Sequence, residues 1–367
     1  MPTSTSNMDK LEASLLDRST PLDNRFRTLF TIKGLATSSD DHLARAIQII
    51  SKGFSDDSAL LKHELAYVLG QLEDVRALPV LRSVLSDLGQ EVMVRHEAAE
   101  AMGAISCPSS LPILNEYLND VDVSVRETCQ LAIQKIEFDN TQKGKEIRQR
   151  NKLAKSENKI GDVEAAFAPI DPAPAMSSSE AALAAAAALE ADSKDQDDSS
   201  SSSFTLESLP KFRSVYLDPS LSLFERYRAM FSLRNVAHSG GREAAREAVL
   251  CLAEGLKDSS ALFRHEICFV FGELCHPASI PSMLDVLNDE KEHEMVRHEA
   301  AEALGGIVEE SSQEGEASKD GFQNVFDSLK RWAEDMECPR VVRESCVVAL
   351  DEMAYNNDPN QFQRVEV

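Results

Sequence analysis

Basic residues are in short supply in this chain: 38 Lys and Arg face 62 Asp and Glu, for a formal net charge of -24. Such a balance excludes nucleic acid as a partner, since a phosphate backbone demands a basic face. It favours instead a basic protein or a cationic group. Aromatic residues are also few, 6% of the chain against 43% hydrophobic in all, with Ala, Leu and Glu abundant. That composition suits an all-helical fold packed from aliphatic side chains. No run approaches the eighteen or so apolar residues of a membrane span. The opening MPTSTSNMDKLEASLLDRST has no apolar core of the kind a secretory leader needs. Cysteine pairs are missing too. The seven, Cys107, Cys129, Cys251, Cys268, Cys275, Cys338 and Cys346, are odd in number and include no CxxC. They fit reduced, mostly buried thiols in an intracellular protein and offer no metal-ligand spacing. We expect a soluble, monomeric, cytoplasmic protein, or one shared with the nucleus, that meets neither membrane nor nucleic acid.

What the chain has instead is one phrase written twice. Val94 to Ile105 reads VRHEAAEAMGAI and Val296 to Ile307 reads VRHEAAEALGGI. A looser copy precedes each, LKHELAYVLGQL from Leu61 and FRHEICFVFGEL from Phe263. The pattern of His-Glu with a later Gly thus occurs four times: His63-Glu64 with Gly70, His96-Glu97 with Gly103, His265-Glu266 with Gly272, and His298-Glu299 with Gly305. Half of the eight histidines are spent here. His63 to His96 and His265 to His298 both span 33 positions, and the second couple repeats the first at an offset of 202. Such a period marks stacked helical hairpins. The expected fold is all-α and HEAT-like, with two symmetric four-repeat halves forming an α-solenoid.

Along the chain, residues 1–22 read as a flexible polar N-terminus, 23–139 as the N-terminal half, 140–210 as a low-complexity linker, 211–357 as the C-terminal half and 358–367 as a tail. The basic residue before each histidine serves as a register mark, giving Arg27, Lys62, Arg95 and Arg126, then Arg228, Arg264, Arg297 and Arg343. The longer last step comes from residues 309–320 (EESSQEGEASKD), polar and without helical periodicity, which read as a loop insertion. Helix starts are signalled by Asp57 or Ser58, Ser259 or Ser260, and Asp122. In the linker, EAALAAAAALEA favours helix by propensity but has no large apolar stripe to bury, so at most a lone transient helix is expected there.

In stacked hairpins, equivalent helices of successive repeats run parallel at about 8 to 10 Å. His63 and His96 then lie at one depth on neighbouring helices, as do His265 and His298, and two imidazoles can converge on one metal ion. Adjacent residues on a helix diverge by about 100°, so some of the four carboxylates can ligate and others line the site. Two histidines and one carboxylate form the ligand set of non-haem ferrous iron with open positions for oxygen. Two such sets would build a di-iron centre in the cleft between the halves. Each Gly lies two turns after its His on the same face, where it costs about 1 kcal/mol against Ala, and its fourfold use points to close backbone approach or open space. The flanking repeats carry Glu127 and Glu344 in place of the His, with Gln134 and Leu350 in place of the Gly. His293-Glu294 has no counterpart at the 202 offset and is not an HExxH pair; it reads as a solvated helix entrance. His42, His238 and His276 read as surface or loop residues. Met93 and Met295 are expected to fill core, with lining of the cleft as the alternative.

These four motifs resemble the deoxyhypusine hydroxylases, a family of HEAT-repeat di-iron monooxygenases, and the resemblance covers both halves. It implies deoxyhypusine on a translation initiation factor as substrate and hypusine as product. It implies two Fe2+ as cofactor, with O2 and an external electron donor as co-substrates. By resemblance, His63, His96 and Glu97 hold one iron, and His265, His298 and Glu299 the other. Glu64 and Glu266 complete the pairs, as weak ligands or as acceptors of the substrate's amines. Oxygen would enter an unactivated C–H bond while the carboxylates hold the cationic side chain, and no residue need act as a covalent nucleophile. Two other classes stay open: a HEAT-repeat scaffold that binds a basic peptide without catalysis, and a protein similar to the bilin lyases.

Overall fold

The computed structural model describes residues 4–157, 169–188, 204–306 and 319–356. The chain divides into two compact units, Met1–Ala173 and Pro174–Val367. Among the described residues both are built from helices alone, and no helix is long and apolar enough to cross a membrane.

The first unit stacks four hairpins: α1 (Ser4–Leu16) with α2 (Leu22–Ala36), α3 (Asp40–Lys52) with α4 (Ala59–Gln71), α5 (Leu78–Ser86) with α6 (Val92–Ile105), and α7 (Leu111–Glu116) with α8 (Val123–Asn140). The second helices form a row in which α2 packs on α4, α4 on α6 and α6 on α8. A further helix, α9 (Gln142–Glu157), lies on α8.

The second unit opens with α10 (Ser178–Ala188) and again stacks four hairpins. These are α11 (Leu209–Tyr216) with α12 (Leu223–Ser239), α13 (Gly241–Glu254) with α14 (Ala261–Leu274), α15 (Ile280–Asn288) with α16 (Glu294–Gly305), and α17 (Lys319–Glu334) with α18 (Arg340–Asn356). Here α12, α14, α16 and α18 make the row.

The local signals explain these boundaries. Ser58 accepts from the Leu61 amide and starts α4, Ser260 accepts from Phe263 and starts α14, and Asp122 accepts from Ser124 and starts α8. The first helices α5, α7, α11 and α15 begin Leu-Pro or Ile-Pro, with proline in the first turn where its missing N–H is harmless. Buried Arg25, Arg95, Arg226 and Arg297 each donate Nε–H to a carbonyl ten residues earlier, at 2.8 to 3.0 Å, and so close the turn of their hairpin. Three of them also pair with an aspartate that precedes the second helix of the next repeat: Arg25 with Asp56, Arg95 with Asp120, and Arg226 with Asp258. Arg297 instead stacks on Trp332, 4.5 Å from the ring centroid.

That clamp corrects the register of the first repeats. RFR and RYR each offer two arginines, and the clamping member is Arg25 or Arg226, whereas Arg27 is exposed and Arg228 reaches the Pro174 carbonyl and Glu180. Phe26 and Tyr227 therefore occupy the place that histidine takes in the central repeats.

Residues 1–22, expected to be flexible, contain α1, whose Met8 and Leu15 are buried and whose following Arg18 pairs with Asp57 at 2.8 Å. One apolar residue per turn is a thin sequence signal, and burial against α2 and α3 supplies the stability that propensity does not. The 140–210 segment likewise holds more structure than its composition suggested. Arg148 ties α9 to Glu73 at 3.1 Å, and Ile170 N–H donates to Gln71 Oε1. Met176 N–H donates to Ser232 Oγ, and Ala173, Met176 and Ala181 are buried. Alanine and short turns bury little area per residue, yet fixed partners on α12 hold this segment. Of the expected 309–320 insertion, residues 309–318 lie outside the described residues and Lys319 and Asp320 already begin α17. The 358–367 tail also lies outside them.

Candidate metal centre

Three of the four glycines set the spacing of the helix rows. A Cβ placed on Gly70 would stand 2.8 Å from the Ala101 Cα of the next helix, on Gly103 3.1 Å from Ala132 Cα, and on Gly305 2.7 Å from Ala349 Cα. Gly272 faces Ala303 Cα at a looser 3.4 Å. Glycine against alanine lets the backbones of α4, α6 and α8, and of α16 and α18, approach more closely than larger side chains allow. Of the two readings the sequence left, close backbone approach is the one found.

That approach brings the histidines together two turns before the glycines on the same helices. The His63 and His96 rings lie 5.5 Å apart at 47°, and the His265 and His298 rings 5.3 Å apart at 45°. All four His-Glu pairs are buried, each residue at most 7% exposed. Across the helix pair, Glu97 Oε2 lies 3.3 Å from His63 Nε2, and Glu299 Oε2 lies 3.3 Å from His265 Nε2. Glu64 Oε1 is 3.3 Å from His63 Nδ1 on its own helix. Donor atoms of His63, His96 and Glu97 all fall within 4.8 Å of one another, and so do those of His298, Glu299 and Glu302.

The donor set fits a divalent transition metal. Two ligands each about 2.1 Å from one ion stand about 3 Å apart, close to the 3.3 Å between imidazole and carboxylate in both units. Imidazole with carboxylate suits iron and its neighbours. The electrostatics agree, because buried carboxylates demand a positive partner. In the metal-free chain a proton serves: burial pushes the His63 imidazole down, but Glu97 and Glu64 outweigh it and hold the ring well above the ordinary imidazole value.

The remaining candidates sort as follows. His293 is exposed and caps α16, its side chain accepting from the Met295 amide at 3.2 Å, which is the expected helix entrance. His42 meets Ser39 Oγ at the start of α3, His276 caps a 3-10 turn, and His238 is exposed at the end of α12. Met93 and Met295 are buried in the core, and none of the seven cysteines forms a disulfide. Glu302 is the residue that sequence reasoning passed over. The signal was present, a carboxylate one helical turn after His298 in HEAAE, but the adjacent Glu drew attention first.

A family profile described as HEAT repeats matches residues 30–134 and 249–351. Deoxyhypusine hydroxylase of Mycosarcoma maydis is 66% identical over 98% of this chain and 98% of its own length. The chain belongs to the deoxyhypusine hydroxylase family. It is accordingly an enzyme, a hydroxylase. The Drosophila melanogaster deoxyhypusine hydroxylase is 42% identical over 95% of this chain and 92% of its own. The solved structure of human deoxyhypusine hydroxylase in complex with glycerol is similar at a TM-score of 0.69 and 40% identity, covering 95% of this chain and 96% of that one. Family membership thus rests on nearly the full length of the chain.

Proposed function

We propose that this hydroxylase converts deoxyhypusine to hypusine on a translation initiation factor, using two iron ions, O2 and an external electron donor. His63, His96 and Glu97 hold one ion, and His265, His298 and Glu299 hold the other. The observation that carries the reading is the matched contact in each unit, Glu97 to His63 and Glu299 to His265, both at 3.3 Å between buried donor atoms. When bound, ferrous iron supplies the activation of O2 and the oxidation of the C–H bond.

The chain's own residues place and shield. The glycine-alanine contacts hold each pair of ligand helices at fixed spacing, so the donors are preorganised. Glu64 and Glu266, 7% and 2% exposed, lie one residue after a ligand histidine and point round the helix by about 100° from it. They receive the amines of the substrate side chain, whose charge needs anionic partners once water is excluded. Holding those amines fixes which carbon of the substrate faces the metal side. The surplus of acid over base across the chain favours approach of a cationic guest.

The test is metal content per chain after purification without chelator, together with mass analysis of a deoxyhypusine-bearing factor incubated with O2 and reductant. Two irons per chain and a product heavier by one oxygen atom are expected. His63→Ala should lose one iron and all turnover, whereas His293→Ala, at an exposed cap, should keep both. Equal damage from the two substitutions would remove the residue assignment, and absence of any oxygenated product would remove the substrate.

A further inference from the structure

We propose that Glu302 is a positioning residue for His298: its carboxylate takes the imidazole Nδ1–H, so that Nε2 is the atom presented to a metal ion. This rests on the metal-centre reading above. His298 is completely buried on α16, and Glu302, one turn further along, brings Oε1 to 3.5 Å from His298 Nδ1. The same oxygen accepts a hydrogen bond of 2.9 Å from Ser345 Oγ, a hydroxyl that is itself fully buried on the neighbouring α18. Ser345, Glu302 and His298 form a line that runs from one helix through the next into the site.

The chemistry asks for such a group. An imidazole that ligates through one nitrogen carries its proton on the other, and in a buried place that N–H requires an acceptor. A carboxylate there also raises the basicity of the ligating nitrogen. The 3.5 Å separation is the outer edge of a hydrogen bond, and the Glu302 side chain, 21% exposed, keeps the freedom to close it once ligation fixes the ring. Glu299 does different work. Turned about 100° round the helix from His298, its Oε2 meets His265 Nε2. One acid faces the ligand nitrogen of the neighbouring helix, and the other sits behind the ring on its own helix. In the first unit Thr128 stands where α18 carries Ser345, and its hydroxyl donates to the Ser124 carbonyl of its own helix at 2.8 Å. The hydroxyl-carboxylate-imidazole line is therefore assigned to the second unit.

The experiment titrates Co2+ into the chelator-stripped full-length chain and follows the cobalt absorption bands, with thermal unfolding as a check on folding. It compares wild type, His298→Ala, Glu302→Gln, Glu302→Ala and Ser345→Ala. Wild type is expected to bind two ions and His298→Ala one. Both Glu302 variants should still bind two, one of them about 10 to 100-fold more weakly and with a shifted cobalt spectrum. Ser345→Ala should weaken the same site by less. Loss of one ion in Glu302→Gln, as complete as in His298→Ala, would make Glu302 a ligand and overturn the positioning role. Unchanged affinity in every Glu302 and Ser345 variant would make it a bystander. A wild-type chain that takes no ion would overturn the metal-centre reading itself, and this inference with it.

Discussion

His63 carries the clearest electrostatic signature of the site. Burial disfavours its charge, yet Glu97 and Glu64 raise its proton affinity well above the ordinary imidazole value. The unfolded reference is about 6.5, so the protonated ring stabilises the metal-free fold fully below that pH, and this contribution is lost as pH rises through the raised folded value. Urea unfolding of the metal-free chain from about pH 6 upward should therefore show stability falling relative to His63→Gln. Parallel pH curves for the two proteins would contradict the pairing. The same proton competes with metal, so ion affinity should rise over that range. At this scale the sequence was highly informative: all eight His-Glu residues are buried in two clusters, and His293 proved to be a cap. Glu302 escaped because a pair read as a dipeptide hides the neighbour one turn away.

A helix pair is the unit in which the glycines act. Gly305 and Ala349 are in backbone contact, and a methyl added at Gly305 would lie 2.7 Å from Ala349 Cα. Gly305→Ala should push α16 from α18 and destabilise the chain by about 1 to 3 kcal/mol, the usual range for overpacking. Gly272→Ala meets Ala303 at an ordinary 3.4 Å. It should be neutral, or gain up to about 1 kcal/mol from helix propensity. Thermal midpoints of the two variants check this contrast, and equal losses would show that spacing is not what the glycines provide. The sequence marked these glycines as unusual. Their partners were legible only afterwards, as the small residue five positions after the histidine, or its Glu substitute, in the following repeat: Ala101, Ala132, Ala303 and Ala349. Elements held by a few specific contacts rather than by periodicity were missed, namely α1, α9 and the Ala173 to Ala181 segment. The register error at Arg27 and Arg228 had the same origin, since which of two nearby arginines turns inward depends on a carbonyl ten residues away.

For the whole molecule, metal and fold are linked. Ions that bind only the folded chain stabilise it by about 2.7 kcal/mol per site at a hundred times the dissociation constant. The thermal midpoint should climb with Fe2+ or Co2+ concentration and fall back on chelation. A midpoint indifferent to both would mean that the His-Glu clusters are complete without metal. The net charge of -24 is a property of this scale, and it conceals a local reversal. Lys143, Lys145, Arg150 and Lys152 are exposed along α9, a basic helix in an acidic chain. Composition averages over such features, whereas the 33-residue spacing of the histidines does not, and for that reason spacing carried the fold and composition only its class.

The contact between glycine and alanine backbones has a thermal corollary. Long side chains loosen by degrees, rotamer by rotamer, but two helices touching at their main chains have no looser packing to slide into before they part. A centre hung from such helices should keep its shape on warming and then lose it all at once. Heat inactivation of the loaded enzyme would then be a cliff, falling at the temperature where the helical signal collapses and not on a slope leading up to it.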